Sequence, residues 1–376
     1  MTGSIQMQPS VVYFTDMRST PSLNLLKKLE KLVKAAGFFE IDFNRKMTAI
    51  KIHFGEPGNL AYLRPNFAAV IARMVTSRGG KPFLTDCNTL YHGERANAPD
   101  HIEAAYRNGY NPLSTGCHVI IGDGIKGTDY REIEVNLDYT RRAMIGSAIA
   151  DADVIISMNH FKGHEQTGFG GALKNLGMGS ASVGGKLFLH SGNPPVIYEK
   201  NCTGCNICVI NCAHDAVHLG ADKKAHIDNS KCTGCGQCVA VCQYDAARVV
   251  WGSEGDILSK KIAEYTLAVI KGKPSLHISF IMDVSPDCDC WGHNDRPLTD
   301  DIGIAASTDP VALDRACADL VTAAPAARHL WDKESGDDLS GADKFRIAHG
   351  NTDWNTALVH AEKIKAGSLS YKLIRI

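Results

Sequence analysis

Eight cysteines packed between positions 202 and 242 hold the most specific chemistry in this 376-residue chain. Residues 202–212 read Cys-Thr-Gly-Cys-Asn-Ile-Cys-Val-Ile-Asn-Cys, and residues 232–242 read Cys-Thr-Gly-Cys-Gly-Gln-Cys-Val-Ala-Val-Cys. Both are C-x2-C-x2-C-x3-C, and the second repeats the first 30 positions on. Three thiolates at this spacing wrap one face of an iron–sulfur cubane, while the residues between them aim backbone N–H groups at its sulfides. Gly204 and Gly234 suit a loop that must turn where a side chain would strike the cluster. Two zinc ions are the competing occupants, but zinc sites usually pair C-x2-C knuckles across a longer gap.

Residues 196–250 resemble the bacterial-type dicluster ferredoxins. In that family the fourth cysteine of each motif ligates the other cluster. The resemblance therefore implies that Cys202, Cys205, Cys208 and Cys242 hold one [4Fe–4S] cluster, and that Cys232, Cys235, Cys238 and Cys212 hold the second. Ala213 and Gln243 stand where the family usually has Pro after the fourth cysteine. Ligation does not need that Pro, but packing and potential depend on it.

Outside this block, reactive side chains gather at a few loops. His160-Phe161-Lys162-Gly163-His164-Glu165 follows a buried strand and could bind a metal or do acid–base work, or be a hydrogen-bonded polar loop. Gly168 to Gly171, followed by Lys174 and Asn175, could cradle an anion or be a plain turn. Cys288-Asp289-Cys290 with His293 suggests a soft metal site or a redox-active pair. His53 and Glu56 sit in a first loop, Asp86 ends another strand, and Cys87 beside it is undecided. Cys117 and Cys317 read as small buried hydrophobes. Gly122-Asp123-Gly124-Ile125-Lys126-Gly127 spells G-x-G-x-x-G, yet Tyr130 to Val135 then alternates like a strand where nicotinamide binding needs a helix.

Several of these stretches resemble the family of the domain of unknown function DUF362, whose members often carry an embedded ferredoxin segment. They are Lys51-Ile52-His53-Phe54-Gly55-Glu56, Leu84 to Tyr91, His160-Phe161-Lys162-Gly163-His164, Gly170 to Asn175, Pro286 to Gly292 and Asp300 to Pro310. The resemblance implies an iron–sulfur centre protein and supplies no reaction. At the level of fold alone, the chain is also distantly similar to the lactate racemase type of α/β domain.

The elements that position these loops alternate. Strands are expected at 11–14, 48–53, 82–85, 117–121, 154–158 and 276–282, and helices at 23–36, 67–74, 101–108, 144–150, 262–270 and 310–321. Thr308 or Asp309 caps the last helix, and Pro310 fits its first turn. This is the texture of an α/β fold with a mostly parallel sheet, residues 1–195 and 253–376, interrupted by a small α+β dicluster ferredoxin-like domain at 196–252. Ligand loops in such sheets lie beyond the carboxyl ends of the strands, so the loops after His53, Asp86, Gly122 and His160 should converge on one edge.

Composition narrows the function further. Net charge is −1, which shows none of the basic excess of a nucleic-acid binder. No apolar run is long enough to span a membrane, and residues 1–10 lack the pattern of a secretory signal, so a cytoplasmic protein is expected.

The expected function is an iron–sulfur oxidoreductase. A soluble redox partner delivers electrons, which pass through two [4Fe–4S] clusters to a small-molecule substrate or further cofactor in the α/β domain. In that reading His164, Glu165, His160 and Lys174 are catalytic, with His164 or Glu165 donating a proton and Lys174 holding an anion. His53, Glu56, Asp86, Lys162, Gly170, Gly171 and Asn175 bind the cofactor, and Cys288, Cys290 and His293 hold a further metal or act in redox chemistry. The rivals are an electron carrier whose larger domain docks a partner, and a metal-centred enzyme with structural clusters.

Overall fold

The chain folds around one eight-stranded sheet in a computed structural model that describes residues 9–91, 93–190, 194–212, 215–232, 237–248, 255–331, 336–350 and 352–376. The strands are β1 (Ser10–Asp16), β2 (Met47–Ile52), β3 (Lys81–Thr85), β4 (His118–Val119), β5 (Val154–His160), β6 (Ser275–Ile281), β7 (Gly303–Ser307) and β8 (Tyr371–Arg375). They lie side by side in the order β8-β1-β7-β6-β5-β2-β3-β4. Only β7 runs against its neighbours; the others point the same way. The mostly parallel sheet expected from the alternating texture is present.

β5 is buried along its whole length, as a central strand covered on both faces must be. Ile50 and Ile52 of β2 pack with Ile156 and Met158 of β5 under α1 (Leu25–Ala35) and α2 (Pro65–Ser77). Ala49 joins a second core with Ile155, beneath α3 (Ala172–Ser180) and α5 (Gly255–Ile270). Side chains alternate along a strand, so Lys51 shares the face of Ala49 and points under α3. Its register partner on β5 is Ser157. Between α3 and α5 comes α4 (Val183–His190).

The chain runs outward from β2 to β3 and β4, then returns to place β5 on the other side of β2. That reversal opens a crevice at the carboxyl ends of β2 and β5. The strands before and after the cysteine block belong to the same sheet.

Two expectations need correction. Residues 144–146, expected to begin a helix running to 150, instead end a strand, Arg142–Gly146, paired antiparallel with Tyr130–Glu134, and only Ser147–Ala150 is helical. Ala143 and Ile145 are buried on one side of that ribbon, which the apolar composition alone could not distinguish from a helix face. The strand expected at 117–121 shrinks to His118–Val119 at the sheet edge.

The helix after β7, α6 (Pro310–Ala323), is capped by Asp309, whose carboxylate accepts from Val311 N and Ala312 N at 2.9 and 3.0 Å. Its other oxygen accepts from Ser10 Oγ at 2.7 Å and Ser368 N at 2.8 Å, tying α6 to β1 and to the residues that lead into the edge strand β8. Asp309→Ala should lower stability by about 2 kcal/mol, the upper end for an N-cap. The check is the urea midpoint, and an unchanged midpoint would show that the cap does not anchor this edge.

Candidate functional site

A cavity of about 560 Å³ opens at the crevice between β2 and β5. Its wall takes Lys51 and His53 from β2 and its loop, and Asp86 and Arg95 from the loop after β3. It also takes His160, Lys162, His164 and Glu165 from the end of β5, and Cys288 and Cys290 from the loop after β6. Lys174 and Asn175 arrive on α3, and Lys186 and His190 on α4. Met178, Leu258 and Ile262 form an apolar side, and half-exposed Trp291 also lines the cavity.

Each cationic group but one is matched by an anion from a different loop. Lys51 Nζ lies 3.0 Å from Asp86, both fully buried. Burial works against the Asp86 charge, but Lys51, His53 and His101 outweigh it and hold the carboxyl below its ordinary range. Arg95 Nε donates to Glu56 at 2.7 Å, and its other arm reaches His53 Nε2 at 3.0 Å. Burial, then the Arg95 charge, push His53 down to about 3, so it stands neutral. Lys162 Nζ lies 3.0 Å from Asp289, which also faces His160 Nδ1 at 2.8 Å. The far nitrogen of His160 faces the Met282 carbonyl at 2.9 Å, so this ring donates on both sides. Burial would raise the Asp289 carboxyl; His160 and Lys162 reverse that and hold it low. Lys186 is the exception. It donates to the Ala181 and Cys87 carbonyls at 2.7 and 3.4 Å and enters no ion pair among the described residues.

Cys288 occupies a thiolate nest. Lys174 Nζ donates to its sulfur at 3.0 Å, and the Cys290 backbone N–H does so at 3.4 Å. The Cys290 thiol, first of all, together with Lys174 and His164 holds Cys288 well below an ordinary thiol despite its burial. Cys290 is pushed the other way, above the ordinary range, by that thiolate and by burial. The two neighbouring cysteines are thus driven apart, Cys288 toward the thiolate and Cys290 toward the thiol. Burial keeps the His164 ring below its usual value, and Lys174 adds to that.

Most of the residues singled out in the sequence meet at this cavity: His53, Asp86, His160, Lys162, His164, Glu165, Gly170, Gly171, Lys174, Asn175, Cys288 and Cys290. Glu56 stands behind Arg95 and orients it. His293 does not join Cys288 and Cys290; it is 65% exposed and lies 3.9 Å from Asp287. Among the described residues no three His, Cys, Asp or Glu side chains come together tightly enough to hold a single metal ion.

Two further roles change. Gly170 and Gly171 do not form an anion cradle, because the first amides of α3 are taken by Asp314, which accepts from Ala172 N and Leu173 N at 2.6 and 2.9 Å. A Cβ at Gly171 would come within 2.2 Å of that carboxylate. Lys174 is engaged by Cys288, so the cation left for an external anion is Lys186. Asn175 is structural glue: Nδ2 donates to Asn159 Oδ1 at 2.8 Å, and Oδ1 accepts from Lys51 at 2.8 Å. Lys51, Arg95, Asp289, Lys186 and His190 escaped the sequence reading. Lys51 lies two residues before His53 and Asp289 between the two cysteines, and that adjacency was the available signal.

The cysteine segment repeats in structure as it does in sequence. Short helices occur at Ile207–Ile210 and Gln237–Ala240, and left-handed backbone at Asp215 and Asp245, φ 49° and 51°. Ala216 N and Ala246 N each donate to the sulfur of the preceding Cys212 or Cys242 at 3.3 Å. Cys202, Cys205, Cys208 and Cys242 line one small cavity. Those are three cysteines of one motif and the last of the other. That shared set suits a cubane whose fourth ligand comes from the other motif. In the other set, Cys235 lies outside the described residues; Cys238 is buried, and Cys212 and Cys232 are partly so. Val239, next to Cys238, packs against Leu90, Val183 and Leu187, the last two on α4.

The family model described as "Domain of unknown function (DUF362)" matches residues 48–319. A thylakoid-associated protein of Synechocystis sp. is 29% identical over 120 residues, covering 32% of this chain and 34% of that protein. The chain thus matches about a third of that relative's length. The lactate racemase apoprotein from Thermoanaerobacterium thermosaccharolyticum aligns over 72% of this chain and 51% of its own at 11% identity, with a TM-score of 0.35. A structural-genomics protein from Thermotoga maritima aligns over 80% and 59% at 13% identity, with a TM-score of 0.41.

The Asp289 network yields a test. Its carboxyl is held below the ordinary aspartate value, so its stabilisation is complete above that value, about 3.9, and is lost as pH falls below it. Asp289→Asn leaves Lys162 without its buried counter-charge and should cost roughly 3–5 kcal/mol at pH 7. Urea midpoints of wild type and variant should differ at pH 7 and converge as pH drops below about 4; equal midpoints at pH 7 would contradict the pairing.

Proposed function

We propose that this chain, which belongs to the DUF362 family, is an iron–sulfur oxidoreductase that delivers electrons to a small molecule bound in the cavity beneath α3 and α4. Cys202, Cys205, Cys208 and Cys242 would hold one [4Fe–4S] cluster, and Cys212, Cys232, Cys235 and Cys238 the second. When bound, such clusters supply one-electron transfer. The observation that carries the reading is the packing of Val239 on Val183 and Leu187. It sets the Cys238 segment against the same helix whose Lys186 and His190 line the cavity.

The cavity's own residues supply the rest. Its volume of about 560 Å³ suits a small ligand. Lys186, lacking an ion-pair partner among the described residues, would attract an anionic group on that ligand. Glu165, partly exposed at the cavity, and His164 beside the thiolate are the groups placed to move a proton. Buried, mutually paired charges of this kind favour a reaction chamber over a docking face, which would present exposed charge and aromatics.

Protein purified without oxygen should hold about eight irons per chain and a brown absorbance that dithionite bleaches. Cys208→Ala and Cys232→Ala should each remove about half of the iron, since each strips a ligand from a different cluster. Zinc in place of iron, or a folded colourless protein, would contradict the reading.

A further inference from the structure

We propose that Cys288 and Cys290 are a redox-active pair, cycling between an intramolecular disulfide and a thiolate–thiol, and that this pair accepts the electrons delivered through the cysteine segment. The proposal rests on the iron–sulfur reading above and names the acceptor that reading leaves open.

Geometry supports it first. The Trp291 N–H donates to the Cys288 carbonyl at 3.1 Å, closing a tight turn over residues 288–291. Such a turn holds its first and third residues close, within the Cα separation a disulfide spans. The Cys290 backbone N–H already donates to the Cys288 sulfur at 3.4 Å, which holds the two residues against each other. Both residues line the cavity. With His293 elsewhere and no third ligand assembled among the described residues, the pair lacks the set a metal would need.

The surroundings then favour the reduced product. Lys174 at 3.0 Å stabilises a thiolate on Cys288 and nothing comparable on Cys290. The step balances as follows. The Cys288–Cys290 S–S bond takes up two electrons and one proton; Cys288 leaves as thiolate and Cys290 as thiol. Glu165 lies 3.9 Å from His164 Nε2, and both line the cavity with Cys288 and Cys290, so a proton route reaches the sulfurs. Two clusters, giving one electron each, match a two-electron acceptor.

The path is contiguous. Val239 packs on Leu187 of α4, and His190 of the same helix lies in electrostatic contact with His164 and Lys174. Lys174 in turn holds the Cys288 sulfur at 3.0 Å. The turn and the helix therefore bring the Cys238 segment and the dithiol to opposite sides of one layer of side chains.

The test is an anaerobic reductive titration of the full-length, iron-loaded protein after oxidation with a mild disulfide reagent. Wild type should take up about four electrons per chain, and Cys290→Ser about two, at equal iron content. In parallel, the wild-type peptide spanning Cys288 and Cys290 should be two hydrogens lighter before reduction than after. Uptake of about two electrons by both proteins, with free thiols throughout, would overturn the proposal. Uptake of about two by wild type and none by the variant, without iron, would keep the disulfide but remove its electron source, and would sink the underlying reading separately. If Cys290→Ser loses iron or fails to fold, Cys288→Ala serves as the second variant under the same criteria.

Discussion

An ionised side chain inside a protein must be paired, and this molecule is organised around that requirement. Lys51, Arg95, Lys162, Lys174 and Lys186 all reach one cavity, where an isolated charge would cost several kcal/mol. Four of them find their counter-charge on a loop from a different strand: Asp86, Glu56, Asp289 and the Cys288 sulfur. Every such pair therefore works as a cross-link between strand ends as well as an electrostatic device. The loops after β2, β3, β5 and β6 hold their shape because their charges have nowhere else to go.

The sheet makes this convergence possible. With β2, β3, β5 and β6 parallel, their carboxyl ends lie at one edge, and the return of the chain to β5 opens the crevice there. α3 then lies across the polar face, with Asn175 bridging Lys51 to Asn159 and Asp314 capping its first amides. α4 follows at once and presents Lys186 and His190 to the cavity on one side and Leu187 to Val239 on the other. One short helix thus contacts both halves of the proposed chemistry.

Much of this was legible in the residues, and the failures have physical causes. Alternating apolar runs located β1, β2, β3, β5 and β6, because buried parallel strands leave a plain signature. Asp309 was one of two candidate caps and is the one used. The stretch at 144–146 was misread since a short apolar run carries no period of its own. Adjacency in sequence suggested that His293 joins Cys288 and Cys290, but the turn at 288–291 sends it outward. Lys174 looked like an anion holder because nothing in the sequence reveals that Cys288, 114 positions away, becomes its partner. Long-range charge pairing is the part of a site that spacing cannot encode.

The proposed clusters would put one iron–sulfur centre against α4, across from the cavity, and the other at the Cys202, Cys205, Cys208 and Cys242 pocket. Anomalous diffraction at the iron edge, from crystals grown without oxygen, measures this directly. The account predicts two iron peaks, the nearer one between Cys238 and α4. No iron density at the cysteines, or two peaks both remote from α4, would contradict it.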